Sequence, residues 1–352
     1  MKKILLITHN QFGYQTDFYK YAQHLKKDFD VTYFCFDYGK EKVAENNIRV
    51  IYSNRQGSRI KRIFDFLLAL RKNLKDNSYH LIILKHFPFS GFINFFTKDR
   101  ILLAIQTGGV TSNHLFNSIF NFVLRMDAKL FKKLIILSDD LRKHLKLDKN
   151  KSEIVPLGSD ILSKKSYNYD ELNLIYIGSL DNRNIDKTII GVKEFLENND
   201  TSLSYTLIGK GKDKEENKIR SLIEKYKLDR VVNFIGFVQY EELPRYIENC
   251  NVGVSFIPIT SYFNEQPPTK TVEYLLSGLP TIATATKGNS KLINGENGVL
   301  IEDTSNGFSR GLEKISNRKF DNSKIRQEME NYKWENVVDL KLKPLINNLL
   351  KA

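Results

Sequence analysis

Two acidic residues and one basic residue lie around a short predicted helix in the second half of the chain. Glu265 precedes the helix, and Glu273 lies within it with seven residues between the two. A carboxylate accepts two hydroxyl hydrogen bonds at once, so each glutamate can hold a diol. Lys270 adds a full positive charge between them. These residue types predict a site for two diols, such as a ribose and a hexose, on either side of a diphosphate.

The local sequence predicts where this helix begins and ends. Pro267 and Pro268 cannot donate backbone hydrogen bonds and suit a helix entry, so the helix is expected to begin near Thr269. Gly278 and Pro280 are expected to end it after about two turns. The amino end of a helix has free N–H groups and a partial positive charge, which favour a bound phosphate. Thr269 is therefore a candidate binding residue.

The elements that must position these residues form two runs of alternating strands and helices. This pattern predicts an α/β fold with two Rossmann-like, doubly wound domains that face each other across a cleft. We draw the first domain at residues 1–168, with a C-terminal crossover helix at about 335–352, and the second at 169–334. The polar residues 161–171 are interpreted as a linker. Ligands of such sheets bind outside the carboxyl ends of the strands.

Thirteen strands are predicted from short apolar runs bounded by turn residues. Those of the first half are Lys3–Thr8, Val31–Phe36, Arg49–Tyr52, Leu81–Lys85, Leu102–Gln106, Leu134–Leu137 and Glu153–Val155. Those of the second half are Asn173–Ile177, Ser204–Ile208, Val231–Phe234, Val252–Phe256, Thr281–Ala285 and Val299–Ile301.

The composition, with 352 residues, 41% apolar and 27% charged, is typical of a globular protein and excludes a disulfide-stapled or disordered chain. Cys35 and Cys250 lie in apolar runs, which predicts buried thiols in a reducing compartment. The first ten residues are interpreted as a strand rather than a signal peptide, and no apolar run is long enough to span a membrane. We therefore expect a cytoplasmic protein.

The charge is distributed unevenly between the two halves. Residues 1–170 have 29 Lys and Arg against 16 Asp and Glu, a net of +13, whereas residues 171–352 have 25 of each. The first half is thus expected to meet an anionic partner, and nucleic acid, an anionic membrane and a phosphorylated lipid are all possible. Residues 55–75 predict a basic amphipathic helix, either an ordinary surface helix or one that contacts a membrane. Five phenylalanines in residues 87–96 suit either acyl-chain binding or core packing.

Several blocks of the chain, in order, resemble the retaining glycosyltransferases of family 4, which have the GT-B fold. The signature of that family is two glutamates with seven residues between them, followed by a small residue, Gly, an apolar residue and Pro. Glu265, Glu273 and SGLP at 277–280 match it. The other similar blocks are VPLGSD at 155–160, IYIGSL at 175–180, LIGKGK at 207–212, and the segments 233–256 and 294–303.

The resemblance implies roles for individual residues of the donor site. Glu273 is expected to bind the nucleotide ribose, and Glu265 the transferred sugar. Gly288 lies in the turn whose backbone amides approach the donor, and Gly13 lies in the first-domain loop that covers the diphosphate.

The opening loop of the second domain departs from the family pattern. Many members have Arg after the glycine of this loop, here Gly178, but this chain has Ser179. Arg183 resembles the second basic position of the loop, and either Lys270 or Lys187 can supply a further charge. With the helix amino end, these cations are expected to stabilise the leaving diphosphate, so no metal or other cofactor is expected. Gly209 lies in the next glycine turn, also expected at the donor.

The family's first-domain histidine has no obvious counterpart. The matching strand reads LLAIQTGG, which places Gln106 and Thr107 there. His9, His86 and His114 are substitutes by position only, so the catalytic residue of this domain stays undetermined.

The resemblance implies a hexosyl- or N-acetylhexosaminyl-type transferase that moves a sugar, with retention, from a UDP- or GDP-linked donor to a hydroxyl of a saccharide acceptor. The uneven charge and the phenylalanine-rich segment lead to the hypothesis of a lipid-linked acceptor in surface polysaccharide synthesis. The protein would then dock peripherally on the inner face of an anionic membrane. A catalytically silent partner subunit and a sugar-nucleotide epimerase of the same fold are the alternatives. No nucleic-acid-binding motif is found, so a nucleic acid partner is not expected.

Overall fold

The structure is a computed structural model, and the chain divides in it into two compact units. The first comprises Met1–Leu157 and Trp334–Ala352, and the second comprises Gly158–Lys333. The structure describes residues 1–109, 114–260, 263–265 and 268–351, with the backbone alone at residues 59, 114 and 265.

The segment interpreted as a linker is packed onto the second unit. Leu162 is buried in an apolar cluster of that unit, and its N–H donates to Ser277 Oγ at 3.2 Å. The N–H of Tyr167 donates to Asn322 Oδ1 at 3.0 Å. The division after Leu157 therefore falls eleven residues before the boundary drawn from the sequence.

All thirteen predicted strands are present, and their bounds agree with the prediction to within two residues. The strands are β1 (Lys3–Ile7), β2 (Asp30–Phe36), β3 (Ile48–Ser53), β4 (Leu81–Lys85), β5 (Ile101–Ile105), β6 (Lys133–Ile136), β7 (Ser152–Ile154), β8 (Leu172–Ile177), β9 (Leu203–Ile208), β10 (Val232–Gly236), β11 (Val252–Ser255), β12 (Thr281–Thr284) and β13 (Gly298–Ile301). Every pairing is parallel, in the orders β3-β2-β1-β4-β5-β6-β7 and β10-β9-β8-β11-β12-β13. The predicted α/β class is confirmed.

Helices connect the strands and cover the sheets. They are α1 (Thr16–Leu25), α2 (Arg59–Asp76), α3 (His114–Lys129), α4 (Asp139–His144), α5 (Asp186–Leu196), α6 (Asp213–Lys225), α7 (Leu243–Ile247), α8 (Thr269–Leu276), α9 (Ser305–Ser316), α10 (Asn322–Glu328), α11 (Trp334–Val337) and α12 (Lys343–Lys351). A π-helical turn, Val338–Leu342, joins α11 to α12, and short 3₁₀ helices include Ser90–Phe95, Phe263–Glu265 and Asn289–Lys291. None of the helices in the described residues is long and apolar enough to cross a membrane.

The first sheet has an apolar layer on each face. Successive strand side chains point to opposite faces, so Ile4 and Leu6 of β1 pack with α1, α11 and α12. Leu5 and Ile7 instead pack with buried residues of α2, α3 and the 3₁₀ helix Ser90–Phe95. The three elements of this second layer therefore lie side by side on one face of the sheet.

The second sheet reverses its strand order between β8 and β11. At such a point the connections leave the sheet in opposite directions, and a crevice opens outside the carboxyl ends of the two strands. The loop after β8 and the connection from β11 through α8 to β12 meet at this end. This geometry positions the candidate site.

Candidate functional site

The short helix α8 begins and ends where the sequence predicts. Its first residue is Thr269, and Pro268 immediately precedes it in an extended conformation. The chain leaves the helix at Gly278, which has φ +80°, and a Cβ at this glycine would overlap the guanidinium of Arg326. The left-handed conformation and the close approach both favour glycine at this position.

Two glycine turns of the second unit are in direct contact. The N–H of Gly178, after β8, donates to Ile208 O at 2.9 Å, and the N–H of Leu180 donates to Lys210 O at 3.1 Å. A Cβ at Gly209 would overlap the carbonyl oxygen of Gly178. The loop after β8 therefore holds its position only if residue 209 has no side chain.

Lys270, on the first turn of α8, reaches back to the loop after β8. Its Nζ lies 3.9 Å from the centroid of the Tyr176 ring. A Cβ at Gly178 would lie 2.7 Å from this Nζ, so the glycine provides the space for the ammonium group. The Nζ is buried and has no hydrogen-bond partner within the described part of the chain. A buried ammonium without a partner is costly, which indicates a site for an anion.

Arg183 provides a second cation in the same loop. Its guanidinium lies 4.0 Å from the centroid of the Phe263 ring, and its Nη1 is also buried without a partner among the described residues. The neighbouring Asn182 and Asn184 have φ of 56° and 54°. These left-handed residues turn the backbone sharply on both sides of Arg183, and Asn tolerates this conformation better than most residues do.

Burial disfavours the charged forms of both Lys270 and Glu273 and shifts their pKa values. Burial and, to a smaller extent, the nearby charge of Arg183 lower the pKa of Lys270 to about 7, with Glu273 opposing the shift. Burial likewise raises the pKa of Glu273 to about 7, with Lys270 opposing. An anion bound to Lys270 would favour its charged form. The pKa values of Lys270 and Glu273 therefore both lie near neutral pH.

Glu273 has two further polar neighbours. The hydroxyl of Tyr240 donates to Asp160 Oδ2 at 3.3 Å. Burial raises the pKa of Tyr240, and the negative charge of Glu273 adds to this shift. Asp160 also raises the pKa of Glu273. The site thus has a cationic side at Lys270 and Arg183 and an acidic side at Glu273 and Asp160.

A buried polar cluster that the sequence did not predict lies beneath α8. The hydroxyl of Thr271 lies 2.7 Å from both Ser255 Oγ and Asn289 Oδ1, and Asn289 Nδ2 donates to Thr284 O at 2.8 Å. These contacts connect α8 to β11, β12 and the turn after Gly288. The sequence signal for this cluster was limited to Ser255 and Thr284, which are polar residues inside apolar strands.

The remaining candidates of the second unit have structural surroundings of their own. Thr269 is exposed at the first position of α8. Gly288 directly precedes the 3₁₀ helix Asn289–Lys291 and has an ordinary φ of −65°. Ser179 Oγ accepts a hydrogen bond from the N–H of Asp181 at 3.3 Å, and its carbonyl accepts one from the Tyr176 hydroxyl at 2.6 Å. Ser179 therefore stabilises the conformation of the loop through these hydrogen bonds, and Arg183 is the basic residue of the loop.

The sequence profile described as "Glycosyl transferases group 1" matches residues 160–335, half of the chain. This match includes α8, both cations and Glu273. The chain belongs to this family. It is therefore a glycosyltransferase, and the predicted membership is confirmed at this level.

Solved structures with the same fold cover nearly the whole of this glycosyltransferase. Sucrose-phosphate synthase from Thermosynechococcus elongatus has a TM-score of 0.77 and 18% identity, with 100% of each chain covered. Anabaena Alr3699/HepE in complex with UDP and glucose has a TM-score of 0.68 and 16% identity, with 94% of this chain and 99% of that one covered. The lipopolysaccharide outer core galactosyltransferase WaaB, at 0.68 and 12%, covers 99% of each. These likenesses confirm the GT-B fold. No curated protein sequence matches the chain.

Some candidate residues are not placed by the structure, and one lies in the other unit. Pro267 and the side chains of Glu265 and His114 are outside the described residues. Gly13 belongs to the first unit, where it has φ +86° and a Cβ would overlap the side chain of Val43. The backbone conformation and the contact with Val43 therefore both require glycine at position 13.

Two of the candidate histidines of this glycosyltransferase lie at the carboxyl end of the first sheet, where His86 is buried and His9 is half-buried. His86, after β4, has its Nε2 3.1 Å from Asp127 Oδ2, and the other carboxylate oxygen accepts from the N–H of Gly91. His9, after β1, has its pKa lowered to about 4 by burial and by the neighbouring Lys85 and His86. His86 therefore has a structural partner, whereas His9 is a neutral imidazole near pH 7.

Gln106, which stands where the family histidine was expected, belongs to an ordered row of side chains. Its Oε1 accepts from Gln15 Nε2 at 3.2 Å, and Gln15 Oε1 accepts from the Thr8 hydroxyl at 2.6 Å. This chain of bonds orients the amide so that Gln106 Nε2 is left as a donor, and the described residues provide no partner for it or for His9 Nδ1. Neutral groups of this kind can hydrogen-bond sugar hydroxyls.

Proposed function

We propose that the protein transfers a hexosyl or N-acetylhexosaminyl residue from a UDP- or GDP-linked donor to a hydroxyl of a saccharide acceptor, with retention at the sugar carbon. The observation that carries this proposal is the pair of buried cationic donors, Lys270 Nζ and Arg183 Nη1, beside the switch point of the second sheet. The structure of HepE in complex with UDP and glucose, which has the same fold, supports a nucleotide-sugar donor.

Each part of the donor has a proposed partner. The diphosphate binds Lys270, Arg183 and the amino end of α8, where free N–H groups add a partial positive charge. The ribose diol binds the carboxylate of Glu273, and the transferred sugar binds Glu265. The backbone after Gly288 approaches the donor.

The reaction follows from the charges that develop in it. When the bond between the sugar carbon and the diphosphate oxygen breaks, the diphosphate gains negative charge and the sugar gains positive character. Lys270 and Arg183 stabilise the leaving group, at about 2 to 4 kcal/mol for one well-placed contact. The acceptor oxygen attacks from the face that the diphosphate leaves, and its proton passes to a phosphate oxygen. With two side-chain cations at the diphosphate, we propose that no metal is required.

The proposed acceptor is a lipid-linked saccharide of a surface polysaccharide, reached from the cytoplasmic face of an anionic membrane. The net charge of +13 in residues 1–170 supports this assignment, because an anionic surface attracts such a charge. The likeness in fold to WaaB, named as a lipopolysaccharide outer core galactosyltransferase, is compatible with it.

A thermal-shift panel of UDP, GDP, ADP and CDP tests the proposed donor site. We expect one nucleotide to stabilise the wild type, by about 2.7 kcal/mol at one hundred times its Kd. The variant Glu273→Ala should lose most of this stabilisation, because the ribose contact is removed. Glu224→Ala, which removes an exposed carboxylate from α6, should respond as the wild type does. An unchanged response of Glu273→Ala would show that the ribose binds elsewhere.

The pKa of Lys270 predicts how binding of the same nucleotide depends on pH. Lys270 loses its proton as the pH rises through about 7, but a bound diphosphate favours the charged ammonium, so binding takes up a proton on the alkaline side. We expect the Kd to rise by about tenfold per pH unit above this value, as measured by titration calorimetry. In Lys270→Met the alkaline dependence should disappear. An equal slope in wild type and variant would assign the titration to another group.

A further inference from the structure

Large apolar side chains are exposed in one region of the first unit. Of the 21 exposed large apolar side chains in the described residues, 13 lie between residues 60 and 130. Phe95 is 81% exposed, and Leu115 is 70% exposed. A soluble monomer rarely exposes an apolar patch of this extent unless the patch contacts another molecule.

These side chains belong to the elements that cover a single face of the first sheet. The inner residues of α2, α3 and the 3₁₀ helix Ser90–Phe95 pack in one cluster against that face. The ring centroid of Phe66, on α2, lies 6.1 Å from that of Phe87, and the N–H of Gly91 donates to Asp127 of α3. The outer residues of all three elements therefore point away from the sheet on the same side. We call this surface, formed by the outer residues of α2, Ser90–Phe95 and α3, the apolar face.

The apolar face has a regular arrangement on two of its elements. On α3, the exposed residues Leu115, Ile119, Phe122 and Met126 follow each other at intervals of three or four, which places them in one stripe along the helix. On the 3₁₀ helix, the exposed ring of Phe92 lies 6.1 Å from that of Phe95. These exposed residues therefore form one surface and are not scattered singly over the protein.

The part of the chain that carries the apolar face is strongly basic. Residues 55–133, which contain all three elements, have 14 Lys and Arg against four Asp and Glu, a net of +10. One of the four acids, Asp127, is buried against His86. At the carboxyl end of α3, a pocket has Phe122 in its wall together with Arg125 and Lys129. An apolar wall with basic groups at its edge is complementary to an anionic phospholipid.

We propose that the apolar face inserts into the interface of an anionic lipid bilayer, with the side chains of α3 and Ser90–Phe95 entering the boundary between headgroups and acyl chains. This rests on the membrane association given under the proposed function and adds to it the inserting surface. The basic residues select anionic lipid, and the apolar residues hold the protein there. A second copy of the chain is a poorer occupant, because it would bring two faces of the same charge together.

Vesicle flotation with matched variants tests this proposal. We expect the wild type to float with phosphatidylcholine vesicles that contain phosphatidylglycerol, and to remain behind with phosphatidylcholine alone. The pair Ile119→Ser and Phe122→Ser should reduce the partition coefficient by about tenfold or more, because two apolar side chains no longer enter the bilayer. The control is Leu340→Ser, because Leu340 is 58% exposed, against 57% for Phe122, but lies in the turn that joins the helices of the opposite face. This control should float as the wild type does.

A tryptophan probe separates insertion from adsorption. Trp334 is the only tryptophan and is buried, so its fluorescence should not change when the protein binds vesicles. The variant Ile119→Trp then adds a second tryptophan whose fluorescence reports on the surroundings of α3. We expect the emission of this variant to shift to shorter wavelength on anionic vesicles and to be quenched by brominated acyl chains.

Each outcome has a distinct meaning. If the double serine variant floats like the wild type and the Ile119→Trp variant shows no spectral shift, the apolar face does not insert, although adsorption by charge would stand. If the wild type floats equally with neutral and anionic vesicles, the selection by charge is wrong. If it binds neither, the membrane association of the proposed function fails as well, whereas the nucleotide panel tests the donor site independently.

Discussion

Replacing Lys270 by methionine should lower kcat/KM for the nucleotide-sugar by about 10² to 10³, the loss typical of removing one preorganised hydrogen-bond donor to a developing negative charge. Methionine keeps the length of the side chain and its packing over Tyr176, but it cannot neutralise the leaving diphosphate. The measurement is release of the nucleoside diphosphate from a UDP- or GDP-sugar, with and without acceptor. We expect Arg183→Met to have an effect of the same order, because its Nη1 is also buried without a partner in the described chain.

Lys225→Met is the control for loss of a charge from the same unit. Lys225 is exposed in the last turn of α6, at the opposite end of this helix from the glycine turn, and its replacement should leave the rate within about twofold, as for an ordinary surface substitution. If Lys270→Met and Lys225→Met release the nucleotide equally fast, the diphosphate is not stabilised at Lys270. If the wild type itself releases none from any sugar nucleotide and binds none, the alternative of a catalytically silent partner subunit is favoured.

Gly209→Ala should destabilise the second unit by about 3 kcal/mol or more, which is the upper range for overpacking. The added Cβ would overlap the carbonyl oxygen of Gly178. A Cβ and a carbonyl oxygen cannot move by side-chain rotation, so the overlap can be relieved only if the two loops separate. We expect the midpoint of urea unfolding to fall and nucleotide binding to be lost, because the loop that carries Arg183 is displaced.

Gly295→Ala is the matched control. No atom lies within 4 Å of a Cβ built at Gly295, so its free energy of unfolding should change by less than about 0.5 kcal/mol. A Gly209→Ala protein with the wild-type urea midpoint would contradict the direct contact between the two turns.

Much of the fold could be predicted because strands buried on both faces form short apolar runs between turn residues. The bounds of β4 agree with the prediction at both ends, and α8 begins at Thr269 and ends before Gly278, since proline and glycine act locally on the backbone. The residues 161–171 were interpreted as a linker because few of them are apolar. One buried side chain, Leu162, and a few backbone hydrogen bonds are enough to attach them to the second unit.

The candidate site was predictable in residue type but not in geometry. The charge of Lys270 is visible in the sequence, but its position over Tyr176 depends on the backbone of Gly178, which lies about ninety residues earlier in the chain and on another element. The apolar stripe of α3 could not be recognised either, because Leu115 and Phe122 have the composition of a core helix. Exposure distinguishes the two cases, and exposure depends on the tertiary packing of the helix.

The most direct measurement is an experimental structure of the protein with the nucleoside diphosphate that the thermal-shift panel selects. We expect diphosphate oxygens at about 3 Å from Lys270 Nζ and from the guanidinium of Arg183, and ribose hydroxyls hydrogen-bonded to the carboxylate of Glu273. A diphosphate bound at any other place, or a Glu273 carboxylate that faces solvent while the nucleotide is bound, would contradict the proposed donor site.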